Sequence, residues 1–380
     1  MTDLLLVCLG ATAGLRAAED ALAASLERAG ASVARVTAAP PRELRTFMAT
    51  DLAWALAARR AARAGLASAA PRAVLYSTTT AALLWPRPGA IRFDALAAQT
   101  RTGRHGIWQR PVEARRLRQA SLLVPMTPAA LPRPRVVVPF PVAPSGPAGV
   151  RDIAALTYGA HWRKKGLDRV LRAWARSGLA DGAGGATRTA AAGLGAARRD
   201  PAAELVVTGV GADLVAAAWA AAGGRGPLPA GVRVTGPLPA ADYRALLRRA
   251  RVFVTAPRRE DYGSAQLEAL ADGCVLVTSA APGPYAALEL ARRLDPRLVV
   301  ADGDDVAALA AALRGALATA AITAPDARVP MSAQGVDADG HSAGLGASEY
   351  ATRAAAALAP YAPAEVDRVV AEELLPRLLG

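Results

Sequence analysis

From Val252 the chain reads Val-Phe-Val-Thr255, Ala-Pro-Arg-Arg-Glu260, Asp-Tyr-Gly-Ser-Ala-Gln-Leu-Glu268, Ala-Leu-Ala-Asp-Gly273, Cys-Val-Leu-Val-Thr278. A β-branched run ends at Thr255, a short polar loop presents Glu260, and a helical pattern starts at Gly263 and Ser264. Free amides and the positive end of the helix dipole at that start favour an anion such as a diphosphate. Glu268, four residues beyond Ser264 and about 6 Å along the axis, is placed to accept hydrogen bonds from sugar hydroxyls. Gly273 closes the helix as a C-cap, and a second strand follows at once. Two carboxylates bracketing an anion-binding helix start make a polyol-phosphate site. Without their flanks, the same two glutamates would read as ordinary surface carboxylates.

Working outward, the same alternation fills the chain. Before residue 139, apolar runs at 4–9, 32–36, 73–76, 122–124 and 136–138 flank a helical pattern over 15–29 and Ala-rich helical stretches. The segment 139–149, Pro-Phe-Pro-Val-Ala-Pro-Ser-Gly-Pro-Ala-Gly, carries four prolines and two glycines and reads as a linker. Strand patterns then recur at 153–158, 204–208, 232–235, 252–255, 275–278 and 298–300, with helices over 168–176, 241–249, 264–271 and 306–317. Strands separated by helices predict parallel sheets. We therefore expect two Rossmann-like domains, at 1–145 and 146–346. An Ala/Gly-rich insertion is expected near 180–203, a second such stretch at about 325–346, and a helical segment at 347–380 packing back across the domains.

Composition removes several classes. At 380 residues the chain suits two domains of about 150 residues each with an added terminal element. Cys8 and Cys274 stand alone, so a disulfide framework, zinc ribbon or thioredoxin site is excluded, and both read as buried small apolar residues. His105, His161 and His341 are the only histidines, without an H-E-x-x-H. Asp3 and the lack of a basic residue ahead of Leu4-Leu5-Leu6-Val7 argue for a first strand over a signal peptide. With no uncharged apolar stretch of about 18 residues, the expected location is the cytoplasm. Net charge is +13, and residues 1–150 hold 19 Arg against 8 acidic residues, or +11. Arg42, Arg45, Arg59, Arg60, Arg63 and Arg72 form one basic group, and Arg101, Arg104, Arg110, Arg115, Arg116 and Arg118 a second. Anionic lipid head groups, a phosphorylated small molecule and nucleic acid all fit such a charge, as does a plain solvated arginine surface. Nucleic acid is disfavoured because no aromatic stacking pattern interleaves the arginines. Lys164 and Lys165 are the only lysines in a chain that otherwise uses Arg, which hints that a compact point charge is wanted there.

The 260–268 segment is similar to the E-x7-E region of the retaining GT-B-fold glycosyltransferases of family 4. Further runs keep the family's order: Tyr158-Gly159 through Arg163-Lys164-Lys165-Gly166-Leu167-Asp168, Val206-Val207-Thr208-Gly209-Val210-Gly211, Gly236-Pro-Leu-Pro, and 246–253. The match covers roughly 153–320, while the first half resembles the family only by Gly10 and Gly14 ahead of a helix. The resemblance implies an α/β GT-B architecture, two Rossmann-like domains with parallel sheets facing across a cleft. It also implies metal-independent transfer of a sugar from a nucleotide-diphosphate sugar to an acceptor hydroxyl, without cofactor.

By position, the first glutamate would contact the donor sugar and the second the ribose, so Glu260 and Glu268 inherit those roles. Lys165 and Arg163 would neutralise charge as the glycosidic bond breaks. Gly159, His161, Lys164, Gly209, Gly211, Tyr262, Gly263, Ser264 and Ala265 would line the donor site. Gly10, Gly14 and His105 would stand on the acceptor side, and an anionic or lipid-linked acceptor would fit the basic first domain, with peripheral contact to an anionic inner membrane face. For His105 and His161, ordinary loop placement competes with these roles.

Two departures stand out. Ala160 occupies the place where the family usually has Arg, six residues before the Gly of Lys-Gly, and the usual Gly-Gly-x-Pro-Glu loop is here Ser279-Ala-Ala-Pro-Gly-Pro-Tyr285, without the acid. They keep open an alternative, a non-catalytic binder of sugar nucleotides or anionic ligands on the same fold. Asp302-Gly303-Asp304-Asp305 imitates a D-x-D metal motif, but it precedes a helix, where an acidic cap is expected. Gly209-Val-Gly211 lacks the third glycine of a dinucleotide fingerprint, and no P-loop or G-x-S-x-G is present.

Overall fold

The computed structural model describes residues 2–42, 44–101, 103–128, 135–147, 149–181, 203–321 and 347–380. Two compact units divide the chain: Met1–Val142 together with Ala359–Gly380, and Ala143–Leu358. The insertion expected at 180–203 lies outside the described residues but for its edges; the 325–346 stretch and His341 lie wholly outside.

Unit 1 runs β1 (Leu4–Cys8), α1 (Ala13–Arg28), β2 (Val33–Thr37), α2 (Phe47–Ala69), β3 (Ala73–Tyr76), α3 (Thr79–Ala82), β4 (Ala90–Phe93), α4 (Ala97–Thr100), α5 (Gln109–Gln119) and β5 (Leu123–Pro125). The strands form a five-stranded sheet in the order β2-β1-β3-β4-β5, with neighbouring strands parallel. Every residue of β1 is buried, as a strand covered on both faces requires. Leu4 and Leu6 enter one core with Leu22 and Leu26 of α1, and Leu5 and Val7 enter the opposite core with Ala58 and Ala62 of α2. Val366, Val370 and Leu374, from the returning 359–380 segment, complete the α1 side. Asp367 anchors that segment on α1, accepting from Ser25 Oγ (2.6 Å) and from Arg28 Nε (2.8 Å).

Val136 and Val138 donate to the Leu123 and Pro125 carbonyls, yet 136–138 does not become the sixth strand that its apolar pattern predicts. The return bond of a parallel ladder would have to come from the nitrogen of Pro125, which carries no hydrogen. Conversely, β4 escapes notice in the sequence because Arg92 interrupts its short apolar run; that arginine is buried and donates to the Ala18 carbonyl.

Unit 2 runs β6 (Ile153–Tyr158), α6 (Trp162–Lys165), α7 (Leu167–Ser177), β7 (Leu205–Thr208), α8 (Ala212–Ala221), β8 (Val232–Gly236), α9 (Ala240–Arg249), β9 (Ala250–Val254), α10 (Ser264–Ala271), β10 (Val275–Ser279), α11 (Ala286–Leu294), β11 (Val299–Val300), α12 (Val306–Ala321) and α13 (Ala347–Ala357). Its six parallel strands lie in the order β11-β10-β9-β6-β7-β8. The strand order turns back between β9 and β6, the kind of switch point where open α/β sheets bind ligands beyond the carboxyl ends of their strands. Two Rossmann-like units with parallel sheets are thus present, as the alternation predicts.

Candidate active site

The carboxyl ends of β6 and β9, which are neighbours in the sheet, feed two loops that are sewn together. Arg258 N–H donates to the Lys164 carbonyl (2.9 Å), and the Arg258 guanidinium pairs with Asp168 (2.6 Å) while also donating to the Arg163 carbonyl. Gly166 permits this closeness. Its φ of +65° is in the left-handed region, and a Cβ there would overlap the Ala256 carbonyl. Held this way, Lys165 Nζ lies 2.6 Å from Glu260 Oε2 and Lys164 Nζ 2.5 Å from Asp261 Oδ2. Both lysines of the chain therefore meet the two adjacent acids that open the 260–268 segment. Burial works against the charge on Asp261, yet Lys164 and Arg259 hold its carboxyl below the ordinary range.

Glu260 is 4% exposed, and Gln266 Nε2 also reaches its Oε2 at 3.3 Å. Gly263 is the N-cap of α10, and the first amides to bond back within the helix are those of Gln266 and Leu267. The Ser264 and Ala265 amides thus precede the ladder and are free for an anion. Tyr262 is buried.

Glu268, on the same helix, looks toward a different group: Arg244, Asp272, Tyr158 and Tyr243. Burial raises its carboxyl above the usual glutamate range; Arg244 opposes the shift and Asp272 adds to it. The Tyr158 and Tyr243 rings stand 5.5 Å apart, and the Tyr158 ring lies so close over Gly209 that a Cβ would come within 2.5 Å of it. Gly159 donates to the Thr208 carbonyl, and Gly211 caps α8. Glu260, Lys165, Lys164, Gly159, Gly209, Gly211, Tyr262, Glu268 and the start of α10 are all brought to one end of the unit 2 sheet.

Other candidates stand apart from that cluster. Arg163 stacks over Trp162 at 4.2 Å and His161 is exposed in a left-handed conformation, so neither side chain touches the acids. Gly10, Gly14 and His105 belong to unit 1. The Gly10 amide is held by Glu19, a fully buried carboxylate that also accepts from Leu9 N–H (2.7 Å) and Ser77 Oγ (2.6 Å). The His105 ring packs edge-on against Phe47. Asp305 accepts from Ala308 N–H and Asp302 from Asp304 N–H, while Asp304 pairs with Arg169, so the acidic run serves as a helix cap. Cys8 and Cys274 are buried and burial pushes both thiols up to about 12, which leaves them without thiolate chemistry.

Glu19, which holds the Gly10 amide in unit 1, and Arg244, Gln266 and Tyr285, which join the cluster in unit 2, were not legible from the sequence. Gln266 carries a positional signal, since it falls on the third residue of a helix between two marked glutamates. Glu19 and Arg244 carry none.

The sequence profile of the family described as "Glycosyl transferases group 1" matches residues 153–319. No curated protein sequence matches the chain. Among solved structures, a glycosyltransferase from Rickettsia africae ESF-5 superposes with a TM-score of 0.62 at 11% identity, covering 100% of this chain and 98% of that one. Sucrose-phosphate synthase from Thermosynechococcus elongatus gives 0.60 at 14%, over 99% and 96% of the two chains. WaaG, a glycosyltransferase involved in lipopolysaccharide biosynthesis, gives 0.59 at 15%, over 84% and 90%. At such identities these likenesses speak for the fold, which is GT-B. The profile match falls on the segment that holds the paired lysines, the two glutamates and the start of α10, so over that segment the chain is similar to the glycosyl transferases group 1.

Proposed function

We propose that the protein transfers a sugar from a nucleotide-diphosphate sugar to an acceptor hydroxyl with retention of configuration, and that cationic side chains do the work a metal does elsewhere. The observation that carries this reading is the Lys165–Glu260 pair beside the open amides of α10. An ammonium has three N–H donors, and Glu260 uses one, so Lys165 can hold a diphosphate oxygen while keeping the carboxylate aimed at the sugar. As the glycosidic bond breaks, negative charge grows on the leaving diphosphate, and the α10 amides and Lys165 oppose it. Retention places the incoming hydroxyl on the face the diphosphate leaves. Glu268 accepts the ribose hydroxyls.

Thermal shift against UDP, GDP, ADP and TDP and their sugars, with and without EDTA, tests this reading. We expect one nucleotide to raise the melting temperature by mass action regardless of EDTA, and Glu268→Ala to lose the shift. Because burial raises the Glu268 carboxyl, acidification protonates it before an ordinary glutamate, so the shift fades at a pH above the usual carboxylate range. No response to any nucleotide would favour the non-catalytic alternative.

The acceptor, in this reading, is anionic or lipid-linked and is gathered by unit 1. Leu44, Phe47, Leu52, Leu56 and Ile107 are exposed, with Phe47 at 69% and Ile107 at 65%. Around them stand Arg42, Arg45, Arg59, Arg60, Arg63 and Arg104, none in a salt bridge among the described residues, since Asp51 of α2 is taken by Arg101. Exposed apolar side chains ringed by unpaired arginines suit an anionic bilayer surface, each cation contributing about 1 kcal/mol near such a surface. No described helix is long and apolar enough to cross a membrane. We expect co-sedimentation with phosphatidylglycerol vesicles but not with phosphatidylcholine, and its loss in a Phe47→Ser, Leu56→Ser double variant. Equal binding to both vesicles, or to neither, would sink the membrane partner.

A further inference from the structure

The loop that lacks the family's usual acid is the cradle of Glu260. Pro282 O accepts the Glu260 N–H at 3.2 Å, and Gly283, at φ +122°, sits so close that a Cβ would overlap the Glu260 carbonyl. Tyr285 ends the loop at φ +25°, a strained setting for a residue with a side chain, directly ahead of α11. Its phenol lies 2.6 Å from Thr278 Oγ1 and 3.3 Å from Gln266 Nε2, and that same nitrogen reaches Glu260 Oε2 at 3.3 Å. Thr278, Gln266 and Tyr285 are each 1% exposed or less.

The direction of this chain is set by chemistry. A carboxylate only accepts, so the amide NH2 of Gln266 must face Glu260 with one hydrogen and offers the other to the phenol oxygen. The phenol proton is left for Thr278 Oγ1. Burial pushes the phenol up, so it stays neutral and able to donate. Glu260 Oε2 is thereby fixed from two sides, by Lys165 and by Gln266, and Gln266 is fixed by Tyr285. Strain of this kind persists where the surroundings over-determine it, which here means four buried side chains from the loop after β9, from α10, from β10 and from the head of α11.

Resting on the assignment of Glu260 to the donor sugar, we propose that Tyr285 is a positioning residue that aims the Glu260 carboxylate through Gln266. Tyr285→Phe keeps the ring and removes only the oxygen. Turnover is read as nucleotide release from the sugar nucleotide that gives the largest thermal shift. We expect kcat to fall about tenfold, with donor KM changing less than twofold, because misaiming a group at the reacting centre affects the transition state more than binding. Thr278→Val combined with Tyr285→Phe removes the hydroxyl that the single variant orphans, so its melting temperature should recover while kcat stays low. A merely structural role predicts that kcat recovers with stability. Wild-type kcat in Tyr285→Phe, or recovery in the pair, overturns the proposal. Glu260→Gln measured alongside separates the two layers: if it collapses turnover while Tyr285→Phe does not, only the positioning role fails, and if Glu260→Gln turns over normally, the site assignment fails as well.

Discussion

Glu260→Gln should lower kcat by about three orders of magnitude while leaving the fold intact. The replacement is isosteric, so the cradle of Pro282 and Gly283 around the backbone is untouched. What disappears is the charge. Lys165 loses the carboxylate that holds its ammonium at 2.6 Å, and the sugar loses the only acid that Lys165 and Gln266 jointly aim. Both groups act in one transition state, so their losses are not additive, and Lys165→Met added to Glu260→Gln should cost little more than either alone. Asp304→Ala gives the contrast. Its partner Arg169 has other acceptors in the Ala256 and Pro257 carbonyls, and the Asp304 side chain is mostly exposed, so kcat should stay within about twofold. Steady-state kinetics on the two variants settles the assignment, and equal losses would refute it.

The second large effect is expected at Asp272, the C-cap of α10. Its side chain is fully buried and accepts from Arg244 Nε (2.6 Å), Ser145 N–H (2.7 Å) and Ser145 Oγ (3.0 Å). Arg244 in turn donates to the Ala143 carbonyl at 2.7 Å, so one carboxylate ties α9, α10 and the Pro-rich segment after Val142 together. Asp272→Ala leaves a largely buried guanidinium without its carboxylate, and losing one partner of such a pair costs about 3–5 kcal/mol. Function should suffer through Glu268. Freed from Asp272, Arg244 has Glu268 as the remaining carboxylate within reach of its charge, and a carboxylate engaged by an arginine is no longer open to ribose hydroxyls. Urea denaturation should therefore register the stability loss, and donor KM should rise by about tenfold in the same variant. A variant destabilised as expected but with unchanged KM would show that Arg244 does not reach Glu268.

Much of unit 2 was legible because its signals are local. Helix α10 begins and ends where the Gly263 and Gly273 punctuation places it, and β6, β8, β9 and β10 fall within two residues of the apolar runs that announce them. That a compact charge is wanted at Lys164 and Lys165 was hinted at by their being the only lysines in an arginine-rich chain, but their partners Asp261 and Glu260, almost a hundred residues away, were not. What escaped depends on residues far apart in sequence. Tyr285 and Gln266 meet across 19 positions, and Arg244 and Asp272 across 28. Glu19 reads as one more helix acid until β1 and β3 bring Leu9, Gly10 and Ser77 around it. Charge misled in the other direction. Arg163 looked like a phosphate ligand by neighbourhood, but the indole of Trp162 offers its guanidinium a face to stack on.

The returning segment of unit 1 has a consequence for how the polypeptide matures on the ribosome. Val366, Val370 and Leu374 complete the core against α1, and Asp367 clamps Ser25 and Arg28, yet these residues are translated only after all of unit 2. At roughly 5–20 residues per second, the N-terminal sheet waits on the order of ten seconds or longer with one apolar face uncovered. Unit 2 is continuous in sequence and has no such wait. The half of the enzyme that is made second is thus able to finish folding first, and nascent-chain chaperones would find their substrate in the apolar groove over Leu4, Leu6 and Leu26.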